Sequence, residues 1–262
     1  MTITELMPVI VDAPFVNPSP SGLYAATTWT EGVAPTRFLA NGVQIRPWNY
    51  GGENSFGVWG APWCGEPGSD ENDLKTGVRP DMNPDPFLPV TVWSYDECDA
   101  TAPSRAEVTA RAQQVLRLEE QAAVEASFAD RLLDDATVIA SAGSMVDALG
   151  YLEGEIAKTN TIGVVHVGAQ LAASAAFSQV LVRTGTGLKT PLNNSWVFGG
   201  GYVTALGNTL VATSPVFGWR DDVQVRTVLK PDENVFAAVA ERSVVVGYEK
   251  LIAAVTITDG SV

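Results

Sequence analysis

The sequence has few of the residues that build metal sites and disulfide frameworks. Its 262 residues include two cysteines, Cys64 and Cys98, and a single histidine, His166. Neither cysteine belongs to a Cys-x-x-Cys pair, and a structural zinc site needs several Cys or His ligands at close spacing. We therefore expect neither a zinc site nor a small secreted fold held by disulfides, and no other metal or cofactor.

Basic residues are also scarce. The chain carries 16 Lys and Arg against 30 Asp and Glu, which gives a formal net charge of −14. The basic side chains are scattered, so specific binding of DNA or RNA has little support. Apolar runs fall short of a membrane span, and the first residues lack the basic region of a signal peptide. The expected setting is a reducing cytoplasm, with no membrane contact.

Motifs of catalysis are missing too. Residues 185–190 (GTGLKT) lack the spacing of a phosphate-binding loop, and the glycines at 199–201 lack the dinucleotide-binding spacing. No G-x-S-x-G motif occurs. A Cys–His hydrolase pair using His166 stays open, because such sites are recognised by geometry. A hydrogen-bonded structural histidine is the preferred interpretation, and we predict that the protein is not an enzyme.

Helical periodicity is absent from the first hundred residues, which are rich in Pro and Gly. Residues 66–100 hold nine acidic and two basic side chains. Each tryptophan presents a large apolar surface, and long irregular segments are uncommon inside a compact domain. We therefore expect these rings to pack on a neighbouring subunit, with packing on their own chain as the alternative. Five of the seven tryptophans lie in this region: Trp29, Trp48, Trp59, Trp63 and Trp93.

A helix of about 30 residues, roughly 45 Å long, is predicted to follow. Ser104-Arg-Ala-Glu107 matches a capping box, and Glu107 can pair with Arg111 one turn later. A second helix is predicted from a cap at Ser144, and residues 161–167 read as a buried strand. Short strands separated by turns complete an α+β pattern. The apolar stripe of the long helix comprises Val108, Ala112, Val115, Leu118, Ala122, Ala126, Ala129 and Leu133, widened by Leu116, Val124, Phe128 and Leu132.

Four stretches of sequence resemble a known family. They are AVEASFADRL, ALGYLEGEIAKTNTIGVVHVGAQLAA, LKTPLNNSWVFGGGY and NVFAAVAERSVVVGY, all within residues 104–250. In order and spacing they resemble major capsid proteins of tailed bacteriophages, particularly those of actinobacterial phages, and more distantly encapsulin shells. The resemblance implies the tailed-phage major capsid fold, an α+β fold. It would have an N-terminal arm at 1–35, an extended β-hairpin loop at 36–100, a peripheral domain with a long spine helix at 101–142 and 222–262, and an axial domain at 143–221.

The resemblance also implies a function. The chain would be a virion head protein that assembles with itself into hexamers and pentamers of an icosahedral shell around phage DNA, which it would touch only non-specifically. Scaffolding, portal and decoration proteins are possible further partners. The expected inter-subunit contacts are Trp48, Trp59, Trp63 and Trp93. Crosslinking through Lys75 is not expected, since no motif fixes an asparagine or glutamate partner for it. Alternatives are an encapsulin-like nanocompartment, another virion structural protein, or the Cys–His hydrolase.

Overall fold

Two β-sheets and one long helix organise the protein, whose computed structural model describes residues 11–30, 40–60, 75–185 and 187–258. The helices are α1 (Leu23–Ala26), α2 (Ala102–Asp135), α3 (Met145–Lys158), α4 (Ala172–Phe177, after a 3-10 turn at Ala169–Leu171) and α5 (Tyr202–Ala205). The strands are β1 (Thr27–Thr30), β2 (Val90–Asp99), β3 (Ile139–Ala142), β4 (Val164–Gly168), β5 (Val182–Thr184), β6 (Gly187–Lys189), β7 (Ser195–Gly199), β8 (Thr209–Thr213), β9 (Val216–Arg220), β10 (Gln224–Lys230), β11 (Val235–Tyr248) and β12 (Leu251–Ile257).

The first sheet is built around the long strand β11. Its N-terminal half lies between β10 and β2, both antiparallel to it, and its C-terminal half pairs with β9. Strand β1 adds to β9 in parallel. Within β2, Val92 and Ser94 are buried, whereas Thr91 and Trp93 are exposed. This alternation is that of a sheet with one covered face, and α2 covers it: the Ser94 hydroxyl donates to the Ala112 carbonyl at 2.5 Å.

The second sheet has seven strands in the order β3-β12-β8-β4-β7-β6-β5. All five residues of β4 and of β8 are buried, because this sheet is covered on both faces. Alternate residues of β4 therefore enter different cores. Val164 packs in the core that contains α2, while Val165 and Val167 pack in the core that contains α3.

The long helix begins two residues before the predicted cap. Thr101 is the N-cap of α2, so Ser104 lies inside the first turn and the predicted capping box is wrong. The N-cap side chain accepts no helix N–H, but Asp99 holds the residues at this end: its carboxylate accepts the Thr101 N–H at 2.8 Å and the Ser104 hydroxyl at 3.0 Å. Pro103 does not prevent this early start, since the first helical turn needs no N–H from a proline. Arg111 pairs with Asp96 of β2 at 2.9 Å rather than with Glu107.

Most buried residues of α2 recur every four positions, with Glu125 and Ala129 buried beside that stripe, and this differs from the predicted stripe. Val115, expected inside, is 44% exposed. An α-helix has 3.6 residues per turn, so a four-residue step rotates the buried face by about 40° each time. The helix therefore turns its buried side from the first sheet towards the second along its length. The stripe comprises Val108, Ala112, Leu116, Glu120, Val124, Phe128 and Leu132.

Other local predictions are confirmed. Helix α3 begins after Ser144, whose hydroxyl accepts the Asp147 N–H at 3.2 Å, and the predicted strand at 161–167 overlaps β4. Sheet membership, however, cuts across the predicted domain division. Strands β3 and β12 join the seven-stranded sheet, although the division places them with the spine helix, and β9 joins the five-stranded sheet. Strands β3 and β12 belong to the seven-stranded sheet because β12 pairs with β8 on one side and with β3, the edge strand, on the other.

Candidate functional site

Residues 40–60 and 75–89 form the two arms of an extended hairpin within the predicted loop. Val43 and Phe87 exchange both main-chain hydrogen bonds at 2.9 Å, and further out the Val78 N–H donates to the Glu53 carbonyl at 2.8 Å. Residues Val90–Asp99 of the predicted loop are not part of this hairpin, since they form β2 in the first sheet. Trp63 and Cys64 lie outside the described residues.

The base of the hairpin is fixed by Arg131 of α2 and Phe87. The Arg131 guanidinium lies over the Phe87 ring at 4.5 Å and donates to the Pro86 carbonyl at 3.1 Å. On its other side Phe87 meets the Tyr248 ring edge to face at 5.0 Å. Gly247 makes the approach possible, because a Cβ there would lie 2.6 Å from the Phe87 ring.

Glu249 fixes the other arm. Its carboxylate accepts the main-chain N–H of Trp48, the N–H of Asn49 at 2.5 Å and the Asn49 side-chain amide at 2.6 Å. Partial burial raises the pKa of Glu249, but the hydrogen bonds from Asn49, Trp48 and Tyr50 outweigh it and hold that pKa below its usual value. The carboxylate is therefore ionised at neutral pH and clamps the arm through main-chain donors.

Beyond these anchors the hairpin presents apolar side chains to solvent. Phe56 is 93% exposed, Val58 89% and Trp48 80%. Trp59 is 43% exposed, and the Lys75 ammonium lies 4.5 Å from its ring centroid. Isolated exposed apolar residues are ordinary, whereas several on one hairpin are a pattern typical of interaction surfaces.

The three predicted contact tryptophans that the structure describes do not form one cluster. Trp48 lies at the anchored end of the hairpin, Trp59 lies further out, and Trp93 is 67% exposed on the outer face of β2. Trp63 falls outside the described residues. Sequence reasoning missed Phe56 and Val58, which are more exposed than any described tryptophan. Their position between glycines in a Gly- and Asn-rich stretch was the available signal.

Part of the predicted N-terminal arm packs on its own chain. Leu23 is fully buried, and Trp29 packs edge to face on Tyr24 at 4.8 Å under the Arg220 guanidinium. For Trp29 the alternative, packing on its own chain, is therefore correct. The preceding residues lie along α2, held by polar side chains of that helix: Gln114 donates to the Val16 carbonyl at 2.7 Å, Arg117 to Asn17 Oδ1 at 2.5 Å and Gln121 to the Ser21 carbonyl at 2.8 Å.

Two buried carboxylates of α2 were also missed from the sequence. Glu120 accepts two hydrogen bonds from the Arg242 guanidinium, at 2.8 and 2.5 Å, and one from the Tyr24 hydroxyl at 2.5 Å. Burial, and then the Glu120 carboxylate, raise the pKa of Tyr24 above its usual value. Glu125 accepts main-chain N–H groups of Leu23 and Gly201. The four-residue spacing of the stripe was the signal for Glu120, since that position falls among apolar ones.

His166 is a structural histidine, as predicted. It is fully buried, with Nδ1 3.2 Å from the Tyr202 hydroxyl and Nε2 2.9 Å from Thr213 Oγ1. The Thr213 hydroxyl donates to the Ser214 carbonyl, so it accepts from Nε2–H, and Nδ1 accepts from Tyr202. Burial lowers the pKa of His166 to about 3. Cys98 is exposed at the end of β2, so the hydrolase pair of Cys98 with His166 is wrong, whereas Cys64 is not among the described residues.

The described part of the chain lacks the features of a metal site and of a membrane-spanning helix. In these residues no group of His, Cys, Asp and Glu side chains is arranged to hold a metal ion. None of the helices described is both long and apolar enough to cross a membrane.

Comparison with known proteins identifies the fold. No protein-family model and no curated protein sequence matches the chain. Among solved structures, the capsid of an empty GTA particle aligns with a TM-score of 0.55 at 10% identity, over 96% of this chain and 94% of that one. A structure from Microbacterium phage Oxtober96 aligns with a TM-score of 0.54 at 11% identity, over 97% and 96%. The mature capsid of bacteriophage PhiM1 aligns with a TM-score of 0.50 at 10% identity, over 100% and 93%. The chain therefore has the tailed-phage capsid fold that was predicted.

Proposed function

We propose that the protein is the subunit of an icosahedral phage head, assembling with copies of itself into hexamers and pentamers around packaged DNA. The observation that carries this is the anchored hairpin, on which Phe56, Val58 and Trp48 are 93%, 89% and 80% exposed in the described part of the chain. A capsid-type fold matched over nearly the whole length supports the same conclusion. Both features point to a structural rather than a catalytic role.

The hairpin would act by lying across a neighbouring subunit. Fully burying one large apolar side chain contributes about 1.5–3 kcal/mol, so Phe56, Val58 and Trp48 together would offer several kcal/mol per contact before the cost of ordering. Anchoring by Glu249 and Arg131 limits that cost, since the hairpin base is already fixed in the free subunit. Repetition around a closed ring would then multiply a modest contact into a stable assembly.

Packaged DNA would face a wall that does not bind it. The net charge of −14 disfavours attachment to phosphates, and a shell that holds a mobile genome needs weak contacts with it. Scaffolding, portal and decoration proteins would be partners only where the assembly pathway uses them. The fold itself does not separate a phage head from an encapsulin-like compartment, whereas the content of native particles does: DNA supports the head, and an enclosed enzyme supports the compartment.

The test is assembly of the full chain, followed by negative-stain electron microscopy and mass photometry. Closed shells or ring-shaped capsomers are expected. Phe56→Ser combined with Val58→Ser should leave the subunit folded but reduce particle yield at least tenfold. Thr76→Ala, an exposed polar position on the same hairpin, is the matched control and should assemble normally. A double variant that assembles as well as the control would contradict the role given to the hairpin.

A further inference from the structure

One buried carboxylate joins two segments that are far apart in the sequence. Glu125 of α2 has no exposed surface. One of its oxygens accepts the Leu23 N–H at 2.8 Å, and the other accepts the Gly201 N–H at 2.9 Å. Leu23 begins α1 in the N-terminal segment, whereas Gly201 ends the glycine turn that follows β7 of the seven-stranded sheet. The Glu125 side chain thus contacts both the N-terminal segment and the turn at the end of β7 in the seven-stranded sheet.

Glycines allow both segments to come this close. Gly22 has φ +116°, and a Cβ there would lie 2.5 Å from Glu125 Oε1. A Cβ on Gly199 would lie 2.7 Å from Oε2, and one on Gly201 would lie 2.0 Å from the Ala122 carbonyl oxygen. Real side chains do not tolerate such distances, so the glycines on either side of the carboxylate belong to a single arrangement.

Main-chain donors offset part of the cost of burying this carboxylate. Burial holds the pKa of Glu125 above its usual value, and the N–H groups of Leu23, Gly201 and Gly200 reduce that rise. A buried charge that loses one of its donors becomes more costly, and the remaining donors then support it alone. Undocking either segment therefore weakens the attachment of the other, and such a dependence is reciprocal.

We propose that Glu125 is a coupling residue, through which the docking of residues 21–24 and the position of the glycine turn at 199–201 depend on each other. This coupling lies within one chain and does not rest on the proposed shell function. Its consequence runs in both directions: a partner that draws the N-terminal segment away from α2 also loosens the end of β7, and a partner that displaces the turn releases the segment.

Hydrogen exchange of the full-length protein, read by mass spectrometry, tests the coupling from both sides. Gly22→Ala should accelerate exchange in residues 199–203 about five- to tenfold, and Gly201→Ala should do the same in residues 22–26. Gly42→Ala is the matched control, because Gly42 also has a positive φ (+78°) and its added Cβ would lie 2.5 Å from the Phe87 carbonyl oxygen. That control should leave both segments unchanged. Unchanged exchange at 199–203 in Gly22→Ala would overturn the proposal.

A Glu125→Gln background separates the carboxylate from simple packing. The amide keeps the shape of the side chain but cannot accept hydrogen bonds at both ends. In this background the effect of Gly22→Ala at 199–203 should fall below twofold. If the full effect persists, direct packing transmits it and the proposal fails. Should Glu125→Gln not fold, the wild-type protein decides: protection of the Leu23 and Gly201 amides within about threefold across low denaturant supports the coupling, and a larger divergence refutes it.

Discussion

Removing one partner of the ion pair between Glu120 and Arg242 is predicted to cost the fold several kcal/mol. Glu120 is 4% exposed at its side chain and Arg242 16%. Arg242→Met would leave a buried carboxylate with the Tyr24 hydroxyl as its remaining donor of the three described. Removing one partner of a buried pair costs about 3–5 kcal/mol. For a chain of this size that corresponds to a fall in Tm of about 6–20 °C.

A double-mutant cycle checks the reasoning by urea unfolding of the unassembled subunit, followed by tryptophan fluorescence. Glu120→Leu with Arg242→Met removes both charges and should cost less than Arg242→Met alone, within about 2 kcal/mol of wild type, since the Tyr24 hydroxyl loses only one hydrogen bond. The matched control is Arg111→Met. Arg111 is 58% exposed in its pair with Asp96, so about 0.2–1 kcal/mol is expected. Equal losses in Arg242→Met and Arg111→Met, or additive losses in the double variant, would refute the argument.

Three further changes test other parts of the structure by the same unfolding assay. Burial lowers the pKa of His166 to about 3, so between about pH 6.5 and pH 3 the imidazole takes up a proton in the unfolded chain but not in the folded one. The free energy of unfolding should therefore fall across this range by up to about 1.4 kcal/mol per pH unit. The decline should be shallower in His166→Gln. Gly201→Ala should destabilise by about 1–3 kcal/mol through its contact with α2, whereas Gly200→Ala, with nothing within 4 Å of the added Cβ, should change stability by less than about 0.5 kcal/mol. Ala112 is fully buried against the first sheet, so Ala112→Leu should lower the free energy of unfolding by about 1–3 kcal/mol. Val115→Leu, at an exposed position of the same helix, is the control. Equal stability of the two variants would show that the four-residue stripe is wrongly placed.

Local signals in the sequence were enough for the elements whose ends are set locally. Ser144 caps α3 through its own neighbour Asp147, so the start of that helix could be predicted. Ser104 looks like the same kind of cap, but α2 begins earlier, directly after β2, where Asp99 accepts the Thr101 N–H and the Ser104 hydroxyl. That choice depends on where β2 ends, which a local pattern does not contain.

Long-range contacts explain most of what could not be predicted. Glu249 and Arg131 reach the hairpin across about 200 and 45 residues of sequence, and neither stands in a recognisable motif. Glu125 meets Leu23 and Gly201 only once both sheets have packed on α2. The role of His166 was predictable for a different reason, since its apolar strand left burial as the main influence on the ring.

The anchors of the hairpin have a consequence for engineering and for divergence between relatives. Glu249 holds the main-chain N–H groups of Trp48 and Asn49, and Arg131 holds main-chain carbonyls. Because these contacts are made to main-chain atoms, they depend on the path of the backbone and only weakly on which side chains follow along the hairpin. The outer hairpin can therefore be mutated, lengthened or extended with a peptide tag while the contacts of Glu249 and Arg131 are kept. Binding preferences at this surface can thus change without changes to the two sheets and α2.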